Sequence, residues 1–160
     1  MFVSNILRTK GTEIYTIGPD ATADDVVMEL VKYNVGSLIV CEGDSEIMGI
    51  ITERDILRAQ AAHRKPLEQL RVREVMSLDV ITASLEDTLR SAMRIMTEHR
   101  IRHLPVMDEA RLLGIISIGD IVKAHHDELE MENHCMKSYI QGEGADVGMP
   151  VYNDPEGFSQ

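Results

Sequence analysis

One stretch of this chain occurs twice, and that duplication limits the possible fold more than any other feature. Met48-Gly-Ile-Ile-Thr-Glu-Arg-Asp-Ile-Leu-Arg-Ala59 returns as Leu113-Gly-Ile-Ile-Ser-Ile-Gly-Asp-Ile-Val-Lys-Ala124, with Gly49 and Gly114 standing 65 positions apart. Most mismatches keep size or charge: Thr52 with Ser117, Leu57 with Val122, Arg58 with Lys123. Upstream, Asn34-Val-Gly-Ser-Leu-Ile-Val40 matches Arg100-Ile-Arg-His-Leu-Pro-Val106 at an offset of 66. The one-residue difference falls between Val40 and Gly49, inside a turn. Solenoid repeats have periods of ~20–50 residues, so a longer period predicts a duplicated subdomain whose copies pack on one another. The duplicated polar residues, Thr52/Ser117 and Asp55/Asp120, are where function is to be sought.

A chain of 160 residues suffices for one domain or two small packed copies. A copy of about 60 residues buries too little surface to be comfortable alone. Sixteen basic and 27 acidic side chains leave a net charge of −11. That argues against a broad nucleic-acid surface, which needs clustered Lys and Arg. A small anionic ligand held by a few local cations stays open. Cys41 and Cys135 are too few and too far apart for a disulfide scaffold or a CxxC site. Nothing resembles a secretory segment, and no run approaches the ~18 uncharged residues of a membrane helix. The expectation is a cytoplasmic protein with no nucleic-acid or membrane partner.

Apolar periodicity sets the expected elements. Ala23, Val26, Val27, Leu30 and Val31 lie on one face of a helix of about 12 residues. Pro19, Asp20 and Thr22 punctuate its start, Asp25 is a first-turn acid, and Asn34-Val-Gly36 ends it. Leu89, Ala92, Met93 and Met96 repeat the pattern. Ser37–Cys41 and Ile47–Thr52 read as a hairpin, repeated by Arg102–Met107 and Leu112–Ser117. A helix follows each: Asp55–His63, and Asp120 to about Glu132. Thr16 and Thr82 close the first extended segment of each copy. The expected class is α/β, two β-α-β-β-α repeats packed as a pseudo-twofold pair. Along the chain these occupy 5–64 and 75–132, with a connector at 65–74. Residues 133–160, rich in Gly and Pro toward the end, are expected to form a partly disordered tail.

The chemistry centres on Gly-Ile-Ile-[Thr/Ser]-x-x-Asp at a strand-to-helix junction. A helix N-terminus offers unpaired N–H groups and a positive dipole end, which suit phosphate. A hydroxyl there adds a donor, and an ionised Asp accepts two hydrogen bonds, matching the vicinal hydroxyls of a ribose. Gly49 and Gly114, lacking side chains, leave room for a flat base against the strand. Thr52-x-x-Asp55 and Ser117-x-x-Asp120 equally fit a helix cap with a first-turn acid. Recurrence after the same Gly-Ile-Ile shifts weight toward a ligand without deciding, because structural features are duplicated too.

The order of Val75-Met76, Val80-Ile-Thr82, Ile101-Arg-His-Leu-Pro-Val106 and Gly114-Ile-Ile-Ser-Ile-Gly-Asp120 resembles the cystathionine-β-synthase (CBS) domain, found as tandem pairs. The resemblance covers about residues 5–130. The ending Ser138-Tyr-Ile-Gln-Gly142 is similar to that of stand-alone two-CBS proteins of bacteria and plant organelles. The resemblance implies a non-catalytic sensor that binds an adenosine-containing ligand (AMP, ADP, ATP or NAD(H)), requires no metal, forms a homodimer and modulates an unidentified partner. Carried over, one cleft takes Ser117 and Asp120 for phosphate and ribose, Ile115 beside adenine and Arg102 on phosphate. Thr16, Ala21, Val35 and Gly36 face them. The other takes Thr52, Asp55, Ile50 and Arg54, with Thr82, Asp87 and Ile101 opposite. Gly36 stands where the second copy has Arg102, and Arg54 where it has Gly119. The two clefts should therefore differ, with the Ser117, Asp120 and Arg102 cleft binding more tightly. Asp120→Asn should keep the ligand-free melting temperature close to wild type.

Two alternatives remain: a structural dimerisation module with vestigial clefts, and a nucleotide-processing enzyme. Against the enzyme, the chain lacks a visible nucleophile, metal triad or Walker lysine, and His99 has no Ser or Cys nucleophile in a recognisable motif. Arg100, Arg102 and His103 read equally as a solvated face or a phosphate clamp. His125, His126, His134 and Cys135 fit no standard zinc spacing. Met93, Met96 and Met107 are expected in the core, and Cys41 as a small buried hydrophobe. Val27/Val31 and Met93/Met96 are candidates for the seam between copies or between subunits.

Overall fold

The computed structural model describes residues 1–43 and 47–142. Helix α1 (Val3–Lys10) opens the chain, followed by β1 (Thr16–Ile17), α2 (Ala23–Tyr33), β2 (Ser37–Cys41), β3 (Ile47–Thr52) and α3 (Glu53–His63). A 3-10 turn (Leu67–Gln69) and the single-turn α4 (Val72–Val75) lead to the second copy. That copy comprises β4 (Ala83–Ser84), α5 (Leu89–His99), β5 (His103–Asp108), β6 (Arg111–Ser117) and α6 (Ile118–Gly142). Residues 1–125 form one compact unit, and the described residues from His126 onward belong to another.

The helices begin where side chains satisfy their open N–H groups. The Thr22 hydroxyl accepts from the Asp25 N–H at 3.1 Å, while Asp25 Oδ2 accepts from the Thr22 N–H at 2.8 Å. Thr88 Oγ1 accepts from the Ser91 N–H at 3.1 Å to start α5. Asn34 and Arg100 end α2 and α5 in the left-handed region, at φ 53° and 54°. Each helix turns its apolar stripe inward: Ala23, Val26 and Leu30 on α2, and Leu89, Ala92 and Met96 on α5.

Each sheet has three strands, β1-β2-β3 and β4-β5-β6, with a parallel first pair and an antiparallel second. Thr16 pairs with Ile39, and Ala83 with Val106. Bulges follow Val40 and Val106 at equivalent places. Beyond them Cys41 pairs with Ile47 and Met107 with Leu112. The extra residue of the first copy therefore sits in the hairpin turn, as its sequence indicates.

The two hydrophobic cores do not follow chain order. Ile17, Val26, Leu38, Val40, Ile51 and Ile56 of the first copy enclose Leu70 and Val72 from beyond α3. Ala83, Leu89, Leu104, Val106, Ile116 and Ile121 of the second enclose Val3, Ile6 and Leu7 of α1. A three-stranded sheet with two helices leaves a flank open, and the segment preceding the other copy fills it. Sequence boundaries at 5–64 and 75–132 therefore cut across the packed cores, and α1 itself was not expected. Its apolar residues at positions 3, 6 and 7 carry a helical spacing too short to stand out.

Other expectations shift. Helices α3 and α6 begin at Glu53 and Ile118, two residues earlier than read, because Thr52 and Ser117 are their caps. Helix α6 continues to Gly142 instead of ending near Glu132, and the Gly/Pro-rich end of the tail lies outside the described residues. Met96 belongs to the second core and Val27 packs against the first, so neither is a seam residue. Val31 is 76% exposed, and Met93 is exposed rather than in the core.

Candidate ligand site

Both repeated motifs are helix caps. Asp55 Oδ2 accepts from the Thr52 N–H at 2.9 Å and the Thr52 hydroxyl at 2.8 Å. Asp120 Oδ2 accepts from the Ser117 N–H at 2.6 Å and the Ser117 hydroxyl at 2.7 Å. Thr22 and Asp25 make the same bonds at α2, away from any cavity described below. Capping alone therefore does not mark a site, and one oxygen of each Asp is already committed. Asp55 Oδ1 also accepts from the Ser77 hydroxyl at 3.4 Å. Asp120 Oδ2 takes a third donor, Lys10 Nζ at 2.6 Å, which also donates to the Ile115 carbonyl at 3.0 Å. Burial pushes the Asp120 carboxyl up, but Lys10 and the Ser117 donors outweigh it and hold the group below the usual carboxylate range.

The caps matter because cavities open beside them. The first, of about 300 Å³, has Ile50, Thr52, Arg54 and Asp55 on one side. Ile101, Arg102, His103 and Pro105 face them, with Gly36, Glu53, Arg58, Ser77, Asp79, Ile81, His99 and Arg100 completing the wall. Arg54 Nη1 donates to the Arg100 carbonyl at 2.6 Å and so ties α3 to the turn before β5. The second cavity, of about 340 Å³, is lined by Ile115 and Ser117 opposite Val35 and Gly36, with Lys10, Gly11, Glu13, Tyr15, Tyr33, Asn34, Ser37 and His103 around them. Tyr15 and Tyr33 stack there with ring centroids 4.1 Å apart.

Several residues stand elsewhere than the sequence suggested. Arg102 lines the Thr52/Asp55 cavity, not the one beside Ser117, because it directly precedes β5 at the first cavity's wall. Thr16, Ala21, Thr82 and Asp87 line neither cavity. The Ala21 carbonyl accepts from the Val72 N–H, and Asp87 Oδ2 accepts from the Ser84 N–H to shape the turn before α5. Thr16 pairs with Ile39 within the sheet, and Thr82 directly precedes β4. Asp120 reaches the second cavity through Ser117 and Lys10.

The glycines have a structural explanation. A Cβ at Gly49 would lie 2.6 Å from the Ser77 carbonyl oxygen, and one at Gly114 would lie 2.9 Å from Leu7 Cδ2. The protein itself occupies the space that a flat base was expected to use. Ser77 also exchanges backbone hydrogen bonds with Ile50, at 3.0 and 2.9 Å.

The walls follow the same repeat, both in the residues the sequence offered (Val35, Gly36, Ile101 and Arg102) and in those it missed. Tyr33, Asn34, Val35, Gly36 and Ser37 of the second cavity correspond, 66 positions on, to His99, Arg100, Ile101, Arg102 and His103 of the first. Gly11, Glu13 and Tyr15 correspond likewise to Ser77, Asp79 and Ile81. Carrying the offset upstream of the first strands would have found them. Arginine is concentrated on one side: Arg54, Arg58, Arg100 and Arg102 line the first cavity, whereas among the described residues Lys10 is the only Lys or Arg in the wall of the second.

Among the described residues one group brings metal-ligand atoms together: His126, Asp127 and Glu130, within 4.8 Å of one another and all exposed on α6. It includes neither His134 nor Cys135. No described helix is long and apolar enough to cross a membrane.

Two copies of one α/β unit, each starting a helix beside a cavity, define a duplicated domain pair. The chain belongs to the CBS domain family, whose model matches residues 3–62 and 72–127. It is 35% identical over 148 residues to the CBS domain-containing protein CBSX3, mitochondrial, of Arabidopsis thaliana, covering 88% of this chain and 72% of that protein. The crystal structure of the CBS-domain containing protein ATU1752 from Agrobacterium tumefaciens matches at a TM-score of 0.76 and 38% identity, over 78% of this chain and 99% of that one. The CBS domain pair of protein MJ0100, solved with 5-methylthioadenosine and S-adenosyl-L-methionine, matches at a TM-score of 0.70 and 26% identity, over 80% and 98%. CBS-domain pairs are regulatory modules that bind ligands.

Proposed function

We propose that this protein is a non-catalytic sensor that binds a phosphate-bearing adenosine ligand (AMP, ADP, ATP or NAD(H)) in the first cavity and modulates a partner protein. The observation that carries this reading is the convergence of four arginines on a cavity beside the N-terminus of α3. In a chain of net charge −11 an anion approaches against the overall field, so local cations must supply the attraction. Arg102 and Arg100 offer forked N–H donors that match phosphate oxygens in pairs. Ile50 and Ile101 supply apolar walls for a base, and Asp55 Oδ1 an acceptor for a ribose hydroxyl. This reverses the ranking read from the sequence, which placed Arg102 beside Ser117. The adenosine compounds bound to the MJ0100 pair, neither of which carries a phosphate, support the adenosine part of the ligand.

Calorimetry with AMP, ATP and NADH tests the reading. Arg102→Ala should weaken AMP binding by about 1.5–3 kcal/mol, the range for a charged hydrogen bond. Ser117→Ala should leave the tighter event largely in place. No heat with any of the three at millimolar concentration, or loss of tight binding with Ser117→Ala alone, would overturn it. A product assay after prolonged incubation with ATP or NADH should find the nucleotide unchanged.

We also propose a homodimer. Met28 and Val31 of α2, Leu57 of α3 and Val122 of α6 are exposed large apolar residues, and a second copy would cover them. The compartment is proposed as the cytoplasm, and cell fractionation placing the chain in an organelle would refute that.

A further inference from the structure

His103 stands in the wall of both cavities. A Cβ at Gly36 would lie 2.9 Å from its Cε1 and Nε2, so the ring occupies the space a side chain at 36 would need. The glycine just before β2 and the imidazole at the start of β5 together form the partition. Charged groups face the ring from several elements: Glu53 at the start of α3, Lys10 at the end of α1, Asp120 in the first turn of α6, and the neighbouring Arg102. Beyond these, the first cavity contributes Arg54, Arg58, Arg100, His99, Asp55 and Asp79, and the second Glu13, Tyr15 and Tyr33. Burial, with Lys10 and Arg102, lowers the imidazole below its ordinary value against the pull of Glu53 and Asp120. These surroundings therefore favour the neutral ring.

We propose that His103 couples the two cavities. A phosphate in the first cavity draws one proton from solvent onto His103, and the resulting imidazolium makes the second cavity more receptive to an anion. The proposal rests on reading the first cavity as the phosphate site. An opposite charge within a few ångströms raises an imidazole pKa by about 1–3 units, and each unit is a tenfold change in proton affinity. By linkage the two events favour each other equally. Standing in the wall of both cavities, the imidazolium attracts both anions, and this outweighs their mutual repulsion across the partition.

Imidazole Cε1–H signals of the full chain, followed by NMR from pH 5 to 8, test this directly. The His103 signal is identified by its absence from His103→Gln or His103→Asn. Without ligand its midpoint should lie below the ordinary histidine value; saturating AMP should raise it by about one unit or more. The Ile115 methyl then reports inorganic sulfate, an anion that does not titrate in this range, entering the second cavity. Prior AMP should tighten sulfate up to about tenfold in the wild type, and less in His103→Gln. If Ile50 and Ile101 methyls respond to AMP while the His103 midpoint stays, the coupling is overturned and the ligand reading stands. Equal sulfate tightening in wild type and variant overturns it as well. No methyl response to millimolar AMP overturns both.

Discussion

At the residue scale, the repeated glycines and aspartates do different work from that suggested by their spacing. Gly49 is hemmed in by a backbone carbonyl that pairs with Ile50 and has little freedom to move, whereas Gly114 meets the end of the Leu7 side chain. Gly49→Ala should therefore cost more than Gly114→Ala, at about 1–3 kcal/mol for forced overpacking. Melting curves check the order, and equal losses would show that Leu7 is as rigid as the Ser77 backbone. Asp120 accepts three donors on one oxygen, among them the Lys10 ammonium. Asp120→Asn should thus lower the ligand-free melting temperature, contrary to the sequence expectation. The loss is about 0.2–1 kcal/mol because the ion pair is partly exposed. The Asp120 carboxyl is held down in the fold, so it protonates more readily in the unfolded chain. Its contribution is present above the unfolded value, near pH 4, and is lost as pH falls through the lower folded one. The gap between wild type and Asp120→Asn should close in acid, and a gap constant down to pH 2 would contradict this.

At the element scale, each copy completes the other's core. Helix α1 places Val3, Ile6 and Leu7 in the core of β4–β6 and α5, so Leu7→Ala removes packing from the second copy although it lies at the start of the first. The expected cost is about 2–5 kcal/mol. Hydrogen exchange should show β5 and β6 amides losing more protection than β2 and β3 amides; the opposite pattern would deny the exchange of segments. Here the sequence was legible in part. The hairpin Ser37–Cys41 and Ile47–Thr52 matched its expected bounds, because short apolar runs and a turn between them are local signals. Helix α1 and α4 were not legible, because a helix of one or two turns carries too few periodic positions.

At the scale of the whole molecule, the two predictions concern partners. Ligand at about 100 times its Kd should stabilise the fold by about 2.7 kcal/mol. For a chain of this size that is a rise of several degrees, at roughly 2–4 °C per kcal/mol, and an unchanged melting curve in millimolar AMP would refute it. The proposed dimer should scatter light as twice 17.9 kDa at micromolar concentration. A mass of one chain there would leave Val31, Leu57 and Val122 without the second copy invoked to cover them.

The sequence alone determined the duplication, the fold class and, to within two residues, the two helix starts, because these rest on periodicity, turn residues and caps within a few positions of one another. The family resemblance also grouped Ile50, Thr52, Arg54, Asp55 and Ile101, which line one cavity, and Val35, Gly36, Ile115 and Ser117, which line the other. Only the tertiary structure decided which cavity holds Arg102, which segment fills each core and what stands over Gly49 and Gly114. Those answers depend on how two similar surfaces meet. Residues far apart in the chain compete for the same few ångströms, and the offset between repeats does not say which side of the partition a side chain falls on.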